Sequence, residues 1–273
     1  MLKIAITNQK GGVGKTTSAL NIGACMARRG LRVLLVDMDG QQNLSRVFGL
    51  KDKMPNILTF IDDERSDFPA HKVGENLYLV PGSKNMHTFD VIANALQPDA
   101  TGLVVKNRFT SVDLESSLDV IIFDCPPKLD QNTINAMVYA EWVFVPVHPD
   151  AFSIDGLEAT VEAIKKLSKY SNPALKLGGI FLVKYNQRAI LHRNVRESLI
   201  TAYLDKVLET TTRESISINE AITSGMDVFT YDTNREKVSN GSKDYELLTN
   251  EILFVTQEFD SKRITVESTS VEN

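Results

Sequence analysis

Cysteine is nearly absent from this 273-residue chain; Cys25 and Cys125 are the two that occur. Two thiols cannot build the disulfide framework of a small secreted scaffold, and no signal-peptide pattern opens the chain. Both cysteines are expected to be reduced and buried in a cytoplasmic protein. Histidine is scarce too, four residues in all, and His148 has no second histidine close by in sequence, so a histidine-built metal site is not expected. No apolar run approaches the ~18 residues that a membrane-spanning helix needs. Acidic side chains are missing from one long stretch. Residues 163–196 contain no Asp or Glu, yet they carry Lys165, Lys166, Lys169, Lys176, Lys184, Arg188, Arg193 and Arg196. The whole chain has a net charge of −5, so it is not coated in basic charge, and the asymmetry is local. The remaining composition, 42% apolar and 24% charged, is that of an ordinary globular chain able to bury a sizeable core.

The most informative stretch is KIAITNQKGGVGKTT, residues 3–17. Ile4, Ala5 and Ile6 read as a buried strand, and a turn rich in glycine follows at Gly11, Gly12 and Gly14. Lys15, Thr16 and Thr17 then open a segment with helical character that runs to Arg29, with Gly30 placed to end it. Strand, glycine loop, Lys-Thr, helix is the setting of a phosphate-binding loop. Glycines let backbone N–H groups converge on a phosphate, and the helix N-terminus adds its positive dipole end. Lys15 suits the outer phosphates and the Thr16 hydroxyl a magnesium ion. The plainer reading is a glycine turn with two solvated lysines.

The common pattern G-x-x-x-x-G-K-[ST] requires glycine at position 9, which here is Gln9. The loop instead reads Lys10-Gly11-Gly12-Val13-Gly14-Lys15-Thr16, with a second lysine at its start. This resembles the deviant Walker A motif, KGGxGK[ST], of the ParA/MinD family of ATPases. The resemblance implies that Lys10, Gly11, Gly12, Val13, Gly14, Lys15, Thr16 and Thr17 bind ATP. It also implies that Lys10 crosses a nucleotide-sandwich homodimer to the partner's phosphates.

Residues 31–36 (LRVLLV) are too short for a helix and read as a parallel strand buried on both faces. It ends in Asp37-Met38-Asp39-Gly40-Gln41-Gln42-Asn43, where carboxylates point into the ligand crevice of an open α/β sheet or merely cap a strand end. The segment resembles the family's D-x-D-P-Q-x-N motif, with Gly40 replacing proline. By resemblance, Asp39 orients the attacking water beside the metal. Residues 118–123 (LDVIIF) form another buried strand, ending in Asp124-Cys125-Pro126-Pro127. That matches the family's D-x-P-P element and makes Asp124 a Mg²⁺ ligand through water, with Thr16. Nitrogenase iron proteins share the fold and use cysteines near here for a four-thiolate cluster, but Cys25 in the first helix is badly placed for one.

Further strands are expected at 76–81, 142–147 and 177–183, with a short one near Val207, and helices at 57–61, 153–170, 190–204 and 243–259. One or two more helices are expected within 87–118. Asn186 follows the strand at 177–183, where relatives use an asparagine to read adenine. Residues 213–221 (RESISINEA) resemble a late family motif. The polar tail 260–273 is expected to be unstructured. No linker divides the chain, so residues 1–259 are expected to form a single α/β domain of the P-loop NTPase, deviant Walker A type. Its twisted sheet should be mostly parallel, with helices on both faces.

The resemblance implies a Mg²⁺-dependent ATPase that partitions plasmid or chromosomal DNA. Such a protein dimerises with ATP, binds double-stranded DNA non-specifically and is released when a ParB-like partner stimulates hydrolysis. It would be cytoplasmic and associated with the nucleoid. Arg188, Arg193 and Arg196, with Lys165, Lys166 and Lys169, are the candidate DNA contacts, although a run of charge is more often a solvated face. Three other readings stay open: an ATPase positioning a non-DNA cargo, a MinD-like membrane-cycling ATPase, and a metabolic enzyme using ATP. The tail DSKRITVESTSVEN has neither the apolar face nor the basic charge that membrane cycling would use.

Overall fold

The computed structural model describes residues 1–150 and 153–269. The chain opens with β1 (Leu2–Ile6), α1 (Lys15–Arg28), β2 (Val33–Asp37), α2 (Asn43–Val47) and α3 (Ile57–Asp62). Strands β3 (His71–Gly74) and β4 (Leu77–Val80) follow, then α4 (Phe89–Leu96), α5 (Val104–Thr110), β5 (Val120–Asp124) and α6 (Gln131–Tyr139). The second half holds β6 (Trp142–Val147), α7 (Ser153–Tyr170), β7 (Lys176–Leu182), α8 (Ile190–Tyr203), α9 (Ile216–Thr223), α10 (Val228–Asn234) and α11 (Asn240–Thr269).

Seven strands make one sheet in the order β3-β4-β2-β5-β1-β6-β7. Every neighbouring pair is parallel except β3 with β4. β2, β5 and β6 are buried at every position, which is why their sequences are continuous apolar runs instead of alternating ones. Successive side chains still face opposite ways, and they build two cores. Leu34, Val36, Ile121 and Phe123 meet α3, α5, α6 and α7 on one face. Val33, Leu35, Ile122 and Phe144 meet α1, α10 and α11 on the other. The expected α/β architecture with helices on both faces is the one observed.

Several expected elements differ in detail. β3 was not legible, because His71-Lys72-Val73-Gly74 has neither an apolar run nor alternation. The strand expected near Val207 is a single bridge to Ile180. α8 stops at Tyr203, one residue early, where Leu204 takes a positive φ of 50°. The expected tail continues the backbone of α11 to Thr269, since positions 260–269 contain no Gly or Pro to stop a helix; residues 270–273 lie outside the described residues.

α1 lies close on the sheet because of Gly23. A Cβ there would come within 2.6 Å of the Leu35 side chain and 3.5 Å of Val33. Gly23→Val should therefore overpack this contact and cost about 1–3 kcal/mol, read as a lower urea midpoint at unchanged slope. A variant as stable as the wild type would show that the layer has slack.

Candidate functional site

Three strand ends and one loop make the site. Parallel register pairs Ile6 of β1 with Asp124 of β5, and Asp37 of β2 with the same Asp124. The loop after β1 and both carboxylates therefore leave the sheet at one level.

The loop has the geometry that its glycines suggest. Gly12 and Gly14 have φ of 75° and 77°, a left-handed conformation that side chains resist. A Cβ on Gly11 or Gly12 would meet nothing within 4 Å, so the outer face of the loop is open. α1 begins at Lys15 with no side chain capping its first amides, which leaves an anion-binding N-terminus. Lys15 is 7% exposed and its Nζ donates to the Lys10 carbonyl at 2.9 Å. Burial lowers its pKa, against the raising effect of Asp124, Cys125 and Asp39.

Lys10 is held differently. Its N–H donates to Asn8 Oδ1 at 2.9 Å, and Asn8 Nδ2 donates to the Pro146 carbonyl at 2.8 Å, which ties the loop to β6. The Lys10 ammonium pairs with Asp150 of its own chain, just beyond β6. α7 lies tight against this spot, since a Cβ on Gly156 would be 3.0 Å from Asn8 Oδ1.

Asp37 is fully buried and accepts from Ser45 N–H at 2.9 Å, Ser45 Oγ at 2.6 Å and Asp39 N–H at 3.1 Å. Burial nonetheless pushes its carboxyl up to about 6, with the charge of Asp39 adding to the shift. Asp39 is half-buried at the lip, and its Oδ1 accepts from Gln41 N–H at 2.9 Å. Asp124 is 1% exposed, and neither carboxylate oxygen has a hydrogen bond among the described residues. Burial pushes its pKa well up and Asp37 adds to this, while the Thr16 hydroxyl and Lys15 nearby favour the charge. A buried carboxylate with only the Thr16 hydroxyl and Lys15 nearby to favour its charge among the described residues suits a cation. Thr16, Asp124 and Asp39 thus fit magnesium.

The loop opens on a cavity of about 330 Å³ that is lined by Gly11, Gly12, Gly14, Lys15, Thr16, Thr17 and Asp39. Lys10 and Val13 do not line it; Lys10 is turned to Asp150, and Val13 is 1% exposed. Asn186 lies in an adjoining cleft of about 930 Å³, which shares Lys184, Arg213 and Glu214 with the first. Its Oδ1 accepts from the Arg188 N–H at 3.0 Å. The far wall of the first cavity, Thr212 to Ser215 with Tyr245, was missed as a site, although residues 213–221 had been marked as motif-like.

The basic candidates divide between two helices. Lys165, Lys166 and Lys169 are exposed on α7, where Lys166 pairs with Glu162 at 2.7 Å and Lys169 lies over the Tyr170 ring. Arg188 is exposed in the turn just before α8, Arg193 is exposed in its first turn, and Arg196 is half-buried. α7 and α8 pack on the same face of the sheet through Leu157, Ile164, Val195 and Leu199. Among the described residues, no helix is long and apolar enough to cross a membrane.

Comparison with known proteins identifies the family. Residues 1–177 match a family model, AAA_31, described as an AAA domain. The chain is 32% identical to the chromosome-partitioning ATPase Soj of Treponema pallidum, over 92% of this chain and 96% of that one. It is 33% identical to the sporulation initiation inhibitor protein Soj of Bacillus subtilis, over 84% and 90%. Among solved structures, cobyrinic acid a,c-diamide synthase from Mycobacterium smegmatis with bound ADP and magnesium superposes with a TM-score of 0.76. That pair is 26% identical, with 93% of this chain and 94% of that one covered.

The raised carboxyls fix a pH dependence. An acid whose folded pKa exceeds its unfolded value lends stability that is complete below the unfolded value and lost as pH rises through the folded one. For Asp37 the interval runs from 3.8 to about 6. The ligand-free protein should therefore lose melting temperature across that interval, and Asp124→Asn should melt higher than wild type at neutral pH without magnesium. An Asp124→Asn variant that melts lower would contradict the view of Asp124 as an uncompensated buried charge.

Proposed function

The chain belongs to the ParA family of P-loop ATPases, and from that premise we propose that it is a DNA-partitioning ATPase, cycling between a free form and an ATP-bound homodimer. The observation that carries the reading is the two-lysine loop with its open amides, set level with the unpaired carboxylate of Asp124. The loop amides and Lys15 neutralise a bound triphosphate. Thr16, Asp124 and Asp39 would hold Mg²⁺, which supplies charge neutralisation at the phosphate oxygens. Asp39 positions the attacking water. Lys10 leaves Asp150 to reach the partner's phosphates, so the dimer completes the catalytic site. Hydrolysis here is positioning and electrostatic stabilisation, and dimer formation therefore switches it.

The basic residues of α7 and α8 supply phosphate contacts. Each contact gives non-specific affinity that falls by ~0.9 log units per tenfold rise in salt. Two copies of the patch on one dimer bind through effective concentration, which makes DNA binding depend on ATP without any base reading. A ParB-like partner that stimulates hydrolysis then releases the DNA. The protein works in the cytoplasm, on the nucleoid. A second reading, ATP-driven synthesis, draws on the 26% identity to a protein named as a diamide synthase. ADP release that depends on cobyrinic acid and ignores DNA would favour that one.

Two sets of variants test the cycle. Asp39→Ala should bind ATP, hydrolyse it at least ~tenfold more slowly and accumulate as dimer in size-exclusion chromatography, and Lys10→Ala should bind ATP yet stay monomeric. A monomeric Asp39→Ala, or a dimeric Lys10→Ala, would remove the assigned role.

For DNA, replacing Arg188, Arg193 and Arg196 together with Glu should abolish binding while basal hydrolysis and dimerisation persist. Single changes should weaken binding equally on unrelated sequences and flatten its salt dependence. Binding by the triple variant at wild-type strength would place the DNA surface elsewhere.

A further inference from the structure

The wall opposite the phosphate loop is held by a helix that carries none of the nucleotide motifs. After β7 and α8 the chain returns along the sheet edge. Val207 bridges Ile180, Leu208 N–H donates to the Ile180 carbonyl at 2.8 Å, and Thr212 N–H donates to the Leu182 carbonyl at 2.9 Å. This parallel run delivers Thr212 to Ser215 to the mouth of the 330 Å³ cavity. Among the described residues, no further strand pairs with its outer amides. α11 takes that place with two carboxylates. Glu251 accepts from the N–H groups of Glu209 and Thr210 at 2.7 and 2.9 Å. Asp244 accepts from Arg213 N–H at 2.8 Å and from its guanidinium at Nε and Nη2, 3.0 and 2.6 Å.

The neighbouring residue of α11 grips the other side of the cavity. Tyr245 is 2% exposed, and its hydroxyl lies 3.1 Å from Ser18 Oγ on α1, three residues after Lys15. Consecutive residues of one helix thus hold both the wall and the helix that starts at the phosphate loop. Asp244 is itself buried, with a bidentate, charge-assisted grip that fixes orientation as well as distance. Arg213 is half-exposed and lines both clefts, so the pair faces the ligand space.

We propose that Asp244 is a positioning residue for nucleotide binding, acting through Arg213 to set the spacing between the phosphate loop and the wall at 212–215. The proposal rests on the reading of the cavity as the nucleotide site. A misplacement of about 1 Å at a binding wall is enough to weaken a ligand or slow its reaction. A lysine at 213 keeps the charge but cannot reproduce the planar fork.

The test is titration with a fluorescent ATP analogue plus magnesium, alongside steady-state hydrolysis, for wild type, Asp244→Asn, Arg213→Lys and the double variant. Each single change should weaken binding about tenfold and raise KM alike with kcat within about twofold, and the double variant should be no weaker than either single, because coupled residues are non-additive. A purely structural role would instead lower kcat through a smaller folded fraction and leave KM in place. Should Asp244→Asn fail to fold, Arg213→Lys carries the test, since its side chain is half-exposed. Wild-type protein that binds no analogue would overturn the nucleotide reading itself. Wild-type binding with unchanged variants, or losses that simply multiply in the double variant, would overturn the role of Asp244 alone.

Discussion

Strand register sets the position of nearly every chemical group in this protein. Asp124 stands opposite both Ile6 and Asp37, so the ends of β1, β2 and β5 are level. A slip of one residue in any of the three would turn its apolar side chains from one core to the other, and both cores are closed. The hydrophobic cores therefore lock a register whose consequence is polar: two carboxylates and a glycine loop at the carboxyl ends of the three central strands. Stability and site geometry share one cause here.

The same strand ends are electrostatically costly. Burial pushes the Asp124 carboxyl well up and that of Asp37 up to about 6, and it lowers the pKa of Lys15. Each group is in an environment that penalises its charged form, which is the usual signature of a site built for a charged ligand. A magnesium triphosphate would be complementary to such a site, with the carboxylates suited to the cation and the loop and Lys15 suited to the anion. The ligand-free protein gives up stability for a site that binding repairs. Lys10 is the exception. Its charge is already matched by Asp150, so reaching another subunit means exchanging one anion for another.

Most of the central architecture was legible because buried parallel strands announce themselves as apolar runs, and because Lys10 to Thr17 fixes many positions at once. Asp124 directly follows such a run, whereas Asp39 lies two residues past Asp37 and was marked by its resemblance to a motif. The edges were not legible. β3 pairs on one side only and carries His71 and Lys72, so no hydrophobic pattern marks it. The segment that leads into the wall at 212–215 is held by Asp244 and Glu251, acids 31 and 42 residues beyond Arg213 and Glu209, and no local pattern links partners so distant. The basic stretch was visible as charge. Its distribution over α7 and α8 on one face of the sheet is a tertiary fact that composition does not carry.

In the proposed cycle, nucleotide state controls attachment to DNA. That control is tested most directly by fluorescence anisotropy of two labelled duplexes of unrelated sequence, titrated with the wild-type protein in ATP with magnesium, in ADP with magnesium, and without nucleotide. Both duplexes should bind equally with ATP, less tightly as salt rises, and bind little in the other two conditions. Equal binding in all three conditions, or binding of one duplex alone, would contradict it.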